Sequence, residues 1–186
     1  GEFIKVIGKY GFRDGEMNMP FGIKIDELDN LYVADWRNDR IQKFDPAGKF
    51  VFSIGKSGDG LGEFNRPSGV DVDLDGDIYV ADTMNNRVQL FNEKGKYVQR
   101  FLGDATLSKS AVELMQVQSL PLRLRDSADL EAQKWLTHPR TVKVDLEGMM
   151  FIPDYHRYRI QVYKKEAHHL EENQLAPEQR SPKLKT

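Results

Sequence analysis

A chain of 186 residues, 39% hydrophobic and 30% charged, has the composition of one ordinary folded domain rather than of a disordered segment. Its 27 basic and 29 acidic residues leave a net charge of -2, which argues against a general attraction to nucleic acid or to an anionic membrane. There is no cysteine, so disulfides and thiolate chemistry are excluded, and no apolar run comes near the roughly 18 residues that span a bilayer. With neither a signal peptide nor a membrane span, the default expectation is a soluble, cytoplasmic protein.

The chain opens on Glu2–Gly8 (EFIKVIG), an apolar strand pattern. Pro20–Arg40 then reads PFGIKIDELDNLYVADWRNDR, and the same sentence returns at Pro67–Arg87 (PSGVDVDLDGDIYVADTMNNR) and at Pro139–Arg159 (PRTVKVDLEGMMFIPDYHRYR). The first two copies are 47 residues apart and the second and third 72 apart. Recurrence at such a period marks one supersecondary unit copied and stacked. In the second copy Gly69–Asp73 alternates apolar and polar, the period of a strand with one buried face. Asp75-Gly76 supplies turn chemistry, because it tolerates the positive φ of a tight hairpin. Ile78–Ala81, Arg87–Phe91 and Lys96–Phe101 give three more strands, so each unit is a four-stranded antiparallel meander. The first copy has the same plan at 22–26, 31–34, 40–44 and 49–54. The third has strands at 141–145, 150–153 and 159–163, then stops. Its missing fourth strand has a match at the other end of the chain, since Glu2–Gly8 resembles Lys49–Gly55 and Lys96–Gly103.

The third copy arrives 25 residues late (72 minus 47), which places an insertion at 104–136. Within it, 105–118 has one apolar helical face formed by Ala111, Leu114 and Met115, with Ser108 or Ser110 as N-cap and Pro121 as terminator. A second helix is expected over 127–136, capped by Ser127. Either the insertion packs on the rim as a flap, or it forms a lid or a partner-docking element. Residues 165–186 read as a polar, disordered tail containing His168 and His169.

The Pro-x-Gly-Val-x-Val-Asp strand, the Tyr-Val-Ala-Asp strand end and the Asn-x-Arg-Val-Gln-x-Phe strand resemble the NHL-repeat β-propellers. The likeness covers residues 2–163 apart from the insertion. It is weaker in the third copy, which has Thr141 for Gly69, Met149 for Asp77 and Pro153 for Ala81. The resemblance implies an all-β propeller built from repeats at 20–55, 67–103 and 139–164, with strand 2–8 completing a split blade. NHL-like propellers are typically six-bladed rings of four-stranded blades around a channel. Propellers close with roughly four to eight blades, so three amount to half a ring. Either two copies form one six-bladed homodimer by twofold symmetry, or this is half of a longer chain. In the first case Phe3, Ile4, Val6 and Ile7 of one copy pair with the strand carrying Ile160 and Val162 of the other.

Asp35, Asp82 and Asp154 each stand five residues before Arg40, Arg87 and Arg159, a spacing suited to ion pairing across a tight loop, and they read as structural. Asp26, Asp73 and Asp145 read as turn formers, with a divalent cation in the central channel as the minority alternative. The loop positions that differ between copies are the binding candidates: Trp36, Arg37 and Asp39; Thr83 and Met84; Tyr155, His156, Arg157 and Tyr158. Aromatics beside arginines either stack on a planar ligand or anchor a protein partner, or else Trp36 and Tyr155 simply pack against neighbouring blades. His138 and His156 are placed to converge, but no histidine recurs at metal-ligand spacing, and no metal or other cofactor is expected. There is also no P-loop and no Gly-x-Ser-x-Gly elbow. The leading expectation is a non-catalytic scaffold for a protein or small ligand. A metal-dependent propeller enzyme, lyase- or lactonase-like, is the alternative, and RNA binding through Arg37, Arg157 and Lys143 is disfavoured by the charge balance.

Overall fold

The computed structural model describes residues 1–105 and 130–165. Two short strands, β1 (Lys9–Tyr10) and β2 (Glu16–Met17), pair in parallel ahead of the first repeat. Sheet one then runs in order through β3 (Pro20–Ile25), β4 (Leu31–Asp35), β5 (Arg40–Phe44) and β6 (Phe50–Ile54). Sheet two repeats the plan with β7 (Pro67–Val72), β8 (Ile78–Asp82), β9 (Arg87–Phe91) and β10 (Tyr97–Phe101). Sheet three has β11 (Lys143–Val144), β12 (Met149–Asp154) and β13 (Arg159–Lys164), and no fourth strand among the described residues. All pairs within the three sheets are antiparallel, so the meander read from the repeats is the observed topology.

The turns form as their residues dictate. Asp73 accepts the backbone N–H groups of Asp75 and Asp77 through Oδ1, and Asp26 and Asp145 hold Leu28 and Asn30, and Glu147 and Met149, in the same way. These aspartates are therefore Asx-turn residues. Lys165 reaches across to the second turn and bonds Asp73, Asp75 and Asp77 at 2.7, 2.8 and 2.9 Å. Burial works against its ammonium group, but the three carboxylates outweigh that and hold the lysine well above its ordinary range.

The sheets stack face to face, and the core lies between them. Tyr32, Ala34, Ile41 and Ile54 of sheet one pack on Phe64, Val70, Val72, Ile78, Val80 and Phe91 of the second unit. Tyr79, Ala81, Val88 and Leu90 of sheet two pack on Leu136, Val142, Met150 and Ile152 of the third. The inner strands approach closely at glycines. A Cβ on Gly22 would lie 2.9 Å from Gly69 Cα, and one on Gly69 would lie 2.6 Å from Thr141 Cα. Only residues without a side chain allow that backbone approach.

Residues 1–8 belong to no strand of their own chain. Ile7 nevertheless packs on sheet one, beside Met17, Val33 and Phe44. The helix expected at 105–118 and the tail from 166 lie outside the described residues. Of the helix expected over 127–136, residues Leu130–Lys134 are α-helical (α1).

Candidate functional site

Each of β4, β8 and β12 ends in an aspartate and is followed by one turn of 3-10 helix, at Trp36–Asn38, Thr83–Asn85 and Tyr155–Arg157. The three turns occupy the same place in their units and form one face of the stack. Beneath each turn lies a buried network of the same plan, in which the third unit has Arg157 where the other two have the turn asparagines Asn38 and Asn85. Asp82 accepts hydrogen bonds from Asn65 N (2.7 Å), Asn85 Nδ2 (2.9 Å), Arg87 Nε (2.7 Å) and Gln89 Nε2 (3.2 Å). Asp35 is held by Asn18, Asn38, Arg40 and Gln42, and Asp154 by Thr137, Arg159 and Gln161. Burial pushes the Asp82 carboxyl above its ordinary value, against the pull of Asn65, Asn85 and Arg87. All four partners donate and none accepts, which requires the carboxylate form.

The arginines extend the network to backbone carbonyls. Arg40 donates to Arg13 and Glu16, and Arg87 to Asp59, Gly60 and Glu63. Arg159 donates to Gln133, Lys134 and Trp135, so the described end of the insertion takes the place of the entry loops of the other two units.

The residue closing each turn is left-handed, with φ of +51° at Asp39, +54° at Asn86 and +53° at Tyr158. Two of them latch one unit to the next. Asp39 Oδ1 accepts the Arg66 N–H at 2.8 Å, and Asn86 Oδ1 accepts the His138 N–H at 2.9 Å. Thr83 is also committed to a seam. Its hydroxyl lies 2.5 Å from Ser68 Oγ and 2.8 Å from the Pro139 carbonyl. Asp39 and Thr83 thus spend their polar atoms inside the stack, while Arg37, Met84, Tyr155, His156, Arg157 and Tyr158 are exposed.

Two aromatic–arginine pairs stand on this face. The Arg66 guanidinium lies 5.0 Å from the Trp36 ring centre, and that of Arg140 lies 4.2 Å from Tyr155. Beside the second pair, the rings of His138 and His156 meet edge to face at 4.4 Å, and Tyr155 lies 5.2 Å from His156. His138 Nδ1 is buried without a hydrogen-bond partner among the described residues. Burial, His156 and Arg140 all lower the pKa of His138, so its ring is held neutral. No group of three or more metal-ligating side chains is present among the described residues. Arg157 donates to the Ala132 carbonyl, tying α1 to this corner.

Arg66, Arg140, Asn86 and the glutamines are not among the residues singled out from sequence, whereas the convergence of His138 with His156 is. Their signal is the repeat itself, since Gln42, Gln89 and Gln161 recur in register and Met19, Arg66 and His138 each stand before a proline that opens or precedes an inner strand.

At the opposite end of the inner strands, Lys24, Asp73, Val144 and Asp145 line a cavity of about 40 Å³. It holds little more than a water molecule, far below the 300–1,000 Å³ of ordinary ligand pockets. Above it Asp71 takes Lys24 Nζ at 2.7 Å, Val144 N at 2.9 Å and Lys143 Nζ at 3.8 Å. Among the described residues no helix is long and apolar enough to cross a membrane.

A family model described as a 6-bladed beta-propeller matches residues 14–100. No curated protein matches the chain. Among solved structures, a protein of unknown function from Bacteroides thetaiotaomicron is 21% identical with a TM-score of 0.53, over 78% of this chain and 34% of that one. A second protein of the same organism is 16% identical with a TM-score of 0.51, over 80% of this chain and 35% of that one. A streptogramin B lyase is 12% identical over 78% of this chain and 40% of its own, with a TM-score of 0.47. The chain therefore spans well under half the length of these structures. Three stacked antiparallel meanders, together with the family match and the two structures from Bacteroides thetaiotaomicron, make the fold that of a β-propeller.

Proposed function

We propose that the chain is a non-catalytic binding scaffold, three NHL-type blades of a six-bladed ring completed by a second copy. It presents the face of 3-10 turns, bordered by the insertion, to a protein or a small planar ligand. The observation that carries this reading is the paired stacking of Trp36 with Arg66 and of Tyr155 with Arg140 on that face. A guanidinium held over an aromatic ring offers a flat apolar surface beside charged donors, which suits planar carboxylates, phosphates or the side chains of a partner protein. The NHL type is supported by the Asp–Arg–Gln network, which recurs beneath each turn with the same partners.

The alternative is a metal-dependent enzyme of lyase or lactonase type, and one observation favours it. His138 and His156 converge, and a buried Nδ1 on His138 has no hydrogen-bond partner among the described residues. A thermal-shift screen separates the two readings. The scaffold reading expects stabilisation by a planar carboxylate or phosphate, lost in Tyr155→Ala and Arg140→Ala. A shift produced by zinc or magnesium, reversed by chelation and abolished in His156→Ala, would replace it with the enzyme.

A further inference from the structure

At the end of the stack opposite the 3-10 turns lie the hairpins that join β3 to β4, β7 to β8 and β11 to β12, at 26–30, 73–77 and 145–149. They hold three, three and two acidic residues and no basic one, in a chain whose net charge is only -2. Farther out, the hairpins before β6 and β10 carry both signs, Asp45 with Lys49 and Glu93 with Lys94 and Lys96, so the acidic surface is confined to the inner hairpins. Lysines approach it from the strands. Lys24 and Lys143 lie 2.7 and 3.8 Å from Asp71, and Lys43 lies 3.8 Å from Asp26. Glu27, Asp29, Asp145 and Glu147 remain exposed at the tips.

Leucines stand among these carboxylates. Leu28 is 76% exposed, Leu74 61% and Leu146 79%. Leu74 belongs to the middle blade, packed on a blade at each side, so its exposure comes from its place at a turn tip and not from an open blade face. The three hairpins also meet. Asp26 and Glu27 of the first, Asp73 and Leu74 of the second, and Asp145 and Leu146 of the third line the same small cavity. A tight turn needs aspartate and glycine but gains nothing from an exposed leucine. Several large apolar side chains gathered in one place and rimmed by charge mark a protein interaction surface.

The chain shows how such a tip takes a cation. The Lys165 ammonium comes from the end of the third blade and bonds Asp73, Asp75 and Asp77 of the second. Lysine and arginine suit this surface because each carries a charged head on an aliphatic stem, and the stem covers apolar surface while the head reaches a carboxylate. Nucleic acid and anionic membrane have the wrong sign of charge for it.

We propose that the hairpin end of the stack docks a basic amphipathic segment of a partner protein, its lysines or arginines meeting the hairpin carboxylates and its apolar side chains covering Leu28, Leu74 and Leu146. Complementary charge brings in and orients the segment. Burial of the leucines supplies the contact that distinguishes it from any polycation. This surface is separate from the face of 3-10 turns, so either can fail without the other.

Fluorescence anisotropy with two labelled peptides of equal length tests it, one alternating lysine with leucine and one of lysine throughout. The alternating peptide should bind the more tightly although it carries half the charge. Leu74→Ser combined with Leu146→Ser, shown to fold by circular dichroism, should weaken the alternating peptide at least about tenfold and leave the all-lysine peptide unchanged. Glu27→Gln combined with Glu147→Gln should weaken both peptides and reduce their sensitivity to salt. Arg37→Ala, on the opposite face, should alter neither. Equal binding of the two peptides, or an alternating peptide indifferent to the leucine change, would reduce the surface to unspecific charge and overturn the proposal. Absence of binding, or binding lost in Arg37→Ala, would overturn it as well.

Discussion

Asp82 shows how much of this chain is decided by single buried groups. The carboxylate is fully buried against an arginine only 4% exposed, and it binds the loop before the blade, the turn above it and the third strand at once. Removing one partner of a buried ion pair leaves the other charge uncompensated, at about 3–5 kcal/mol. Asp82→Ala should lose stability of that order in urea denaturation. Asp145→Ala, which gives up an exposed Asx turn, should lose about 1 kcal/mol. His138 acts in the opposite sense. Its pKa is lowered in the folded state, so the unfolded chain binds the proton first and stability falls as pH drops below the ordinary histidine value near 6.5. His138→Asn keeps a residue that tolerates the left-handed backbone, at φ +55°, and removes the titration. Denaturation midpoints measured between pH 7.5 and 5.5 should slope downward in the unmodified chain and less steeply in the variant.

At the scale of the element, the inner strands are set by how closely their backbones meet. A methyl group on Gly69 would lie 2.6 Å from the Thr141 Cα and 3.1 Å from the Arg140 carbonyl, both backbone atoms that cannot swing aside. Gly69→Ala should therefore wedge blades two and three apart and cost about 1–3 kcal/mol in thermal or chemical denaturation. The strands themselves were readable from sequence. Alternation at 69–73 and the Asp-Gly turn at 75–76 fix a hairpin locally, and β7 and β8 form where that pattern places them. The parallel pair of Lys9–Tyr10 with Glu16–Met17 was not, because two-residue strands carry no period to detect. The latches from Asp39 to Arg66 and from Asn86 to His138 were also hidden. They join residues 27 and 52 positions apart, whose proximity exists only once the blades are stacked. Repeat arithmetic could have pointed to them, since Met19, Arg66 and His138 share one repeat position and one left-handed backbone. Arg140 offered no such signal. Its counterparts are Phe21 and Ser68, and its stacking on Tyr155 belongs to the third blade alone.

For the whole molecule, the same substitution should have opposite consequences in equivalent places. Val72→Asp puts a carboxylate into a closed interface and should unfold the chain. Ile25→Asp changes the equivalent residue of blade one, which faces solvent in the single chain and should leave its circular dichroism intact. In the proposed ring of two copies it would disrupt both seams. Each loses about 1.5–3 kcal/mol of isoleucine burial, so dimer dissociation should rise by at least about a hundredfold in sedimentation equilibrium. Thr141→Gly reverses the direction. The internal seams bring Gly22 to Gly69 and Gly69 to Thr141 at distances that admit no Cβ on the first member. In the inter-copy seam of the proposed ring, that first member would be Thr141 itself. Replacing it with glycine frees more backbone entropy on unfolding, which should lower the stability of each chain by about 0.5–1 kcal/mol. It also removes the obstacle to close approach at the axis, so the dimer should tighten while the single chain weakens. A purely structural role for Thr141 inside its own blade would weaken both together. Sedimentation equilibrium for association, set beside urea denaturation at a concentration where chains are separate, distinguishes these outcomes.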